Sequence, residues 1–243
     1  MTMRRSGASA PREWSPLVRC LIELADTPDD AAGVETQLVT VALLTVDRVN
    51  AADYASITAL RGDGYATVAA SSDLARTVDE AQYNSDAGPC LDSVDTGAPI
   101  AVPDIGSAMR WPGFREQAFA LGLRASLSIP LFAGSGSTLA ALNLYGRDHA
   151  TMGALIKAVL SVFEAQDGNA ESGPEVLDDG SRELVIGLTE AHAVRATIQR
   201  AIGVTIAREN CTAEEGYRLL RARAADTGTT LSRTARGLLA EQR

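Results

Sequence analysis

The chain has only three cysteines, Cys20, Cys90 and Cys211, and they stand far apart. An odd, scattered set excludes a disulfide framework and suits a reducing compartment. No two of them have metal-ligand spacing, and the only histidines are His149 and His192, so neither a zinc site nor a His-ligated haem site has a donor set. No cofactor and no metal are expected. No apolar run approaches the roughly 20 residues needed to cross a bilayer. The opening Met1-Thr-Met-Arg-Arg lacks an apolar stretch after its arginines and does not read as a secretory signal. A cytoplasmic location and no membrane contact are the expectation. Also missing are a nucleophile–base pair and a His-Glu metal motif. Gly134-Ser-Gly136 is too short to cradle a phosphate and reads as a hairpin turn. Catalysis is not expected.

What is present is an uneven distribution of charge. The net charge is −9, yet from residue 195 onward nine arginines face five acids, while the rest of the chain holds thirteen basic and twenty-six acidic residues. A basic end on an acidic body is the electrostatic footprint of a polyanion-binding module. Its cations are all arginine, which suits bidentate contact with phosphate and base edges.

Hydrophobic spacing divides the chain. Residues 14–49 read as two helices broken at Thr27-Pro-Asp-Asp30, and Tyr54–Leu60 and Tyr65–Ser71 as a hairpin around Arg61-Gly-Asp-Gly64. A helix over 74–84 and a loop at 85–90 follow, then a short strand at 100–103, a helix at 115–122, strands at 125–132 and 138–145, and a helix at 152–166. Residues 167–180 are acidic and rich in Gly and Asp, which predicts a flexible linker. Ser181 is the expected N-cap of a long helix reaching Ile206. Along it Leu184, Leu188, Ala191, Arg195, Ile198 and Ile202 alternate four- and three-residue steps, a seam that can pair two chains as a coiled coil. Residues 1–13 are expected to be a disordered tail.

Residues 195–243 carry Arg195, Ile198, Ala201 and Gly203, then Tyr217, Leu219 and Leu220, then Leu231 and Ala235. This segment resembles the ANTAR domain, a three-helix module that binds hairpin RNA and regulates transcription antitermination in bacteria. It departs from the family at Gly228-Thr-Thr230-Leu231, where an Asn-x-Lys-Leu signature is usual, at Gly216 in place of Ala, and at Thr205-Ile206 in place of Leu-Met. Residues 14–166 resemble a GAF sensor domain through Gly88-Pro-Cys-Leu-Asp92, Gly97-x-Pro99, Asp104, Arg110-Trp-Pro112, Leu131 and Ala141-Leu-Asn-Leu-Tyr145. The resemblances imply an α+β chain, with an antiparallel sheet flanked by helices followed by an all-α bundle at 181–243.

They also imply a function: a signal-responsive, dimeric RNA-binding regulator in which the sensor controls dimerisation or exposure of the RNA-binding module. The alternative is a dimeric sensor or interaction protein whose degenerate module no longer binds RNA. The residues expected to meet RNA are Arg195, Arg200, Arg218, Arg221, Arg233 and Tyr217, since loop bases stack on aromatic or guanidinium planes beside neutralised phosphates. Ala201 and Gly203 are expected to allow close helix packing. Cys90, Asp104, Trp111, Asn143 and Tyr145 mark a possible small-molecule pocket, although core packing accounts for the aromatics as well. Cys90 reads as a buried apolar residue rather than a redox thiol, and Asp104 with Arg110 as ligand-orienting groups or a structural pair. Asn143 on an apolar strand needs partners wherever it lies.

Overall fold

A computed structural model describes residues 13–62, 64–164 and 176–241. Asp63 of the expected turn, the expected tail up to residue 12, and linker residues up to 175 lie outside the described residues. Helix α1 (Pro16–Asp26) starts where Ser15 accepts the Val18 N–H and Pro16 occupies the first turn. It stops at Thr27-Pro28, and α2 (Val34–Arg48) follows. Strands β1 (Tyr54–Arg61) and β2 (Gly64–Ala70) form the expected hairpin, and α3 (Asp73–Asn84) is capped by Ser72.

The expected loop at 85–90 runs into a helix that periodicity does not reveal, α4 (Pro89–Thr96). Eight residues are too few to show a period, but other signals are present: Pro at the start and Gly97 at φ 64° as the left-handed stop. Strand β3 (Ile100–Val102), a 3-10 turn at Ile105–Ser107 and α5 (Pro112–Ala120) come next. Strands β4 (Ala125–Phe132) and β5 (Thr138–Gly146) and helix α6 (His149–Glu164) complete the unit.

The five strands form an antiparallel sheet in the order β2-β1-β5-β4-β3. Alternation gives it two unlike faces. Ala55, Ile57, Leu142, Leu144, Leu127 and Ile129 point to one side and join apolar residues of α1, α2, α6 and α7 in one core. On the other side Ser56, Asn143 and Ser128 lie in register, with Tyr145 opposite Ser126. Helices α3 and α4 cover that polar face, and α5 packs against α3.

Helix α7 (Asp179–Glu209) is longer than expected, and its N-cap is Asp178, not Ser181. Asp178 accepts the Ser181 N–H at 3.0 Å, so the last linker residues belong to the helix. The predicted coiled-coil seam is used within the chain. Leu184 and Leu188 lie in the sheet-side core, Arg195 on the Phe132 ring at 3.7 Å, and Ile198 and Ile202 in the core of the C-terminal bundle. Helix α1 approaches closely enough that a Cβ at Gly187 would lie 2.6 Å from Leu21 Cδ1. One periodic stripe thus serves two domains in sequence.

Two turns join the three helices of the bundle. Asn210 ends α7 in the left-handed region at φ 50°, and Thr212 with Glu215 forms a reciprocal capping box for α8 (Ala213–Thr227). Gly228 at φ 61° ends α8, and Thr230 caps α9 (Leu231–Ala240). The core is Ile198, Ala201, Ile202, Tyr217, Leu220, Ala224, Leu231, Ala235 and Leu238. Ala201 packs as expected, but Gly203 does not: it is exposed, and a Cβ at that position would meet nothing within 4 Å. At Gly216 a Cβ would meet Ile202 and Ile206 at 3.4 Å, an ordinary packing distance, so the alanine usual in the family would fit there as well. Gly203→Ala is therefore expected to stabilise the bundle by about 0.5–1 kcal/mol, through helix propensity alone. Thermal denaturation checks this, and a lowered midpoint would mean Gly203 is needed for backbone reasons.

Candidate functional site

Two places combine chemistry with burial. The first is the polar face of the sheet. Asp79, on the α3 face that also carries Ala75, Val78 and Gln82, is fully buried against it. Its carboxylate accepts hydrogen bonds from Tyr145 Oη at 2.6 Å, Ser56 Oγ at 2.9 Å, Thr67 Oγ1 at 2.8 Å and, more weakly, Asn143 Nδ2 at 3.4 Å. Asn143 also donates to Thr58 Oγ1 at 2.9 Å, and Tyr83 Oη bridges Thr58 and Thr67 at 2.8 Å. Gln82 donates to Tyr145 Oη at 3.2 Å and accepts the Cys90 N–H at 3.0 Å.

Burial pushes Asp79 up to about 6 against the pull of those hydrogen bonds and of Arg76. Burial and the Asp79 charge push the Cys90 thiol well above its ordinary value. A thiol held that way is no nucleophile, which agrees with Cys90 as a buried apolar group. Two acceptors are left over: buried Asn143 Oδ1 and Ser126 Oγ find no partner among the described residues.

Of the residues expected around a pocket, Cys90, Asn143 and Tyr145 meet in this network, and Trp111 packs in the cluster next to it that includes Tyr145. Asp104 is exposed and accepts the Gly106 N–H at 2.9 Å at the head of the 3-10 turn. It does not pair with Arg110. That arginine binds Asp92 at 2.7 Å and lies 4.9 Å from the Trp111 ring centre. Sequence reasoning misses Asp79 and Gln82, although an acid on the same helical face as Ala75 and Val78 is a usable signal.

The second place is where the C-terminal bundle rests on the α1–α2 loop and the β4–β5 turn. Asp26 accepts the Ser232 N–H at 2.6 Å and the Ser232 hydroxyl at 2.7 Å, and Asp30 binds Arg221 at 2.7 Å. Asp29 accepts the Ser135 N–H at 2.8 Å and, at 3.4 Å, the Tyr217 hydroxyl. Arg195 donates to Gly136 O at 3.0 Å, and Gln199 reaches Ser135 O. Between the bundle and the loop runs a cleft of about 600 Å³ lined by Asp26, Thr27, Pro28, Arg218, Arg221 and the start of α9.

Of the residues expected to meet RNA, the cleft brings Arg218 and Arg221 together. Tyr217 is a core residue whose hydroxyl reaches Asp29, and Arg195 is held against β4. Arg200 and Arg233 are exposed and do not line the cleft.

The GAF domain family matches residues 34–166, more than half of the chain. The chain belongs to the GAF domain family. The ANTAR domain matches residues 187–239, so both expected resemblances hold, and the polar network and the docked bundle fall in the GAF and ANTAR domains respectively. A solved structure described as a domain of a putative two-component sensor histidine kinase protein from Sinorhizobium meliloti 1021 covers 70% of this chain and 93% of its own at 18% identity and a TM-score of 0.41. No curated protein matches. Within the described residues no helix is long and apolar enough to cross a membrane, and no three His, Cys, Asp or Glu residues group as metal ligands. The ANTAR match begins at Gly187, inside the part of α7 that packs on the GAF core, so the two domains share one helix.

Proposed function

We propose that this GAF–ANTAR chain is a signal-responsive regulator of transcription antitermination whose ANTAR domain binds hairpin RNA. The observation that carries the reading is the pair of guanidinium groups, Arg218 and Arg221, lining an open cleft beside the start of α9 in an otherwise basic module. Departures from the family signature do not remove this surface. Gly228 stands where Asn is usual and takes the left-handed conformation that both residues tolerate, so the turn survives. The basic position is lost at Thr230, and Arg233, one turn on, is exposed and makes no ion pair among the described residues.

Signal enters through the GAF polar face, where a small molecule supplying donors would satisfy Asn143 Oδ1 and Ser126 Oγ. It leaves through α7, which has Leu188 in one core and Ile198 in the other. A ligand drives this only by binding two arrangements of α7 with different affinity. Pairing of two modules in a homodimer would have to use a surface other than the buried seam. Sedimentation of the free and RNA-bound protein measures it against the 25.5 kDa single chain.

Replacing Arg218, Arg221 and Arg233 together by Ala tests the RNA reading. Binding to a two-hairpin RNA pool is expected to weaken, and the slope of log K against log salt to shrink by about 0.7 for each phosphate no longer neutralised. An unchanged slope would place the RNA elsewhere and favour the reading in which the module only holds a protein partner.

A further inference from the structure

The segment from Asp26 to Asp30 offers three carboxylates, and all of them reach across to the ANTAR module or the turn beneath it. Their targets have one thing in common. Asp26 takes the backbone N–H and hydroxyl of Ser232 in the first turn of α9, where a helix presents unpaired N–H groups and partial positive charge. Asp30 takes the guanidinium of Arg221, and Asp29 the hydroxyl of Tyr217. A helix N-terminus, an arginine and a hydroxyl are the groups that contact nucleic-acid phosphates. Two of the three partners, Arg221 and Tyr217, are residues expected from sequence to meet RNA. Shape reinforces charge at the same spot. Gly134 has no side chain because Leu231, Tyr217 and Thr27 fill the space: a Cβ there would lie 2.4 Å from Leu231 Cδ1 and 2.9 Å from both Tyr217 Oη and Thr27 O.

We propose that the α1–α2 loop is an internal ligand of the module's RNA face, its carboxylates standing where RNA phosphates bind. The inference rests on the RNA-binding reading and names how that face is regulated. In the closed form Arg221 and the head of α9 are occupied, and the adjoining cleft leaves Arg218, held only by an exposed 3.8 Å pair with Glu215, as the first group an RNA phosphate meets. RNA and loop compete for the same donors, so whatever shifts α1 against α7 in the GAF core changes RNA affinity without touching the module itself. Asp26 and Asp30 do no visible work inside the GAF core, whereas Asp29 also holds the β4–β5 turn through Ser135.

Two full-length variants separate the contributions. Asp26→Asn with Asp30→Asn removes the charges, and Gly134→Ala wedges the module away while leaving every charge in place. The second controls for a simple loss of repulsion between an acidic loop and RNA. Amide hydrogen exchange at residues 217–234 and retention of a randomised two-hairpin RNA pool are measured on both variants and the wild type.

Faster exchange at Ser232 and RNA affinity raised about ten-fold in both variants is the expected result, as when about a tenth of the wild type is open. Unchanged exchange in both variants would overturn the clamp. Faster exchange with equal RNA affinity in all three proteins would overturn the competition. Faster exchange with no RNA retained by any of them would sink the RNA reading, and the proposal with it, while leaving the docking contact established.

Discussion

Asp79→Asn stabilises the protein by about 3 kcal/mol at pH 7.5 and leaves it unchanged at pH 4. The sign follows from burial. Unfolded, the carboxyl titrates at its ordinary value of 3.8; folded, at about 6. The folded form therefore holds its proton more tightly, and the stability this contributes is lost as pH rises from about 4 through 6. Above that window the ionised Asp79 is a buried charge with four donors but no paired cation within the network. Asparagine keeps the acceptor for Tyr145 and Ser56 and offers its amide to the Thr67 hydroxyl, which accepts as readily as it donates. Urea denaturation across pH 4–7.5 measures the difference. A gain independent of pH, or a loss at pH 7.5, would show that Asp79 is not titrating where its burial places it. A carboxylate kept at such a cost has no structural counterpart on the opposite, apolar face of the sheet.

The second large effect runs the other way. His192 on α7 is buried edge-on against Phe163 at 4.5 Å, near Phe132, with its Nδ1 unpartnered among the described residues. Burial, with the Arg195 charge as a smaller cause, lowers it from 6.5 to about 4. A base whose folded value is depressed stabilises the fold when neutral. That contribution is complete above about 6.5 and is lost as pH falls towards 4, amounting to about 3 kcal/mol. In the wild type the two groups nearly cancel between pH 4 and 6. The single variants uncover them: Asp79→Asn becomes less stable towards acid, and His192→Leu becomes less stable towards neutral pH. Parallel curves for the two variants would contradict the assignment. Because His192 lies where α7 leaves the GAF core for the ANTAR module, its protonation should also loosen the helix that joins them.

Much of this architecture is legible in the sequence because local rules encode it. The spacing of Leu17, Leu21 and Leu24 gives α1, the Asp-Gly turn gives the β1–β2 hairpin, and Thr230 marks the start of α9. Helix α4 is hidden by its length. Asp79 is hidden because an acid inside a helix ordinarily faces solvent, and only the neighbouring Ala75, Val78 and Gln82 show that this face is covered. The seam on α7 is visible but its occupant is not, since a heptad-like stripe reads the same whether a second copy or the chain's own α1 covers it. Asp30 reads only as part of a helix break, and Asp26 only as the residue before it. Asp26 meets Ser232 across 206 positions, and no local pattern encodes a contact at that distance.

Ultraviolet cross-linking of a bound two-hairpin RNA, with the adducts mapped to peptides, tests most directly whether RNA meets this chain through α8 and α9. Adducts confined to residues 213–240, strongest around Arg218, Arg221 and Arg233 and fading as salt rises, are the predicted result. Adducts on the GAF sheet or its covering helices, or none at low salt even from the Gly134→Ala protein, would contradict it.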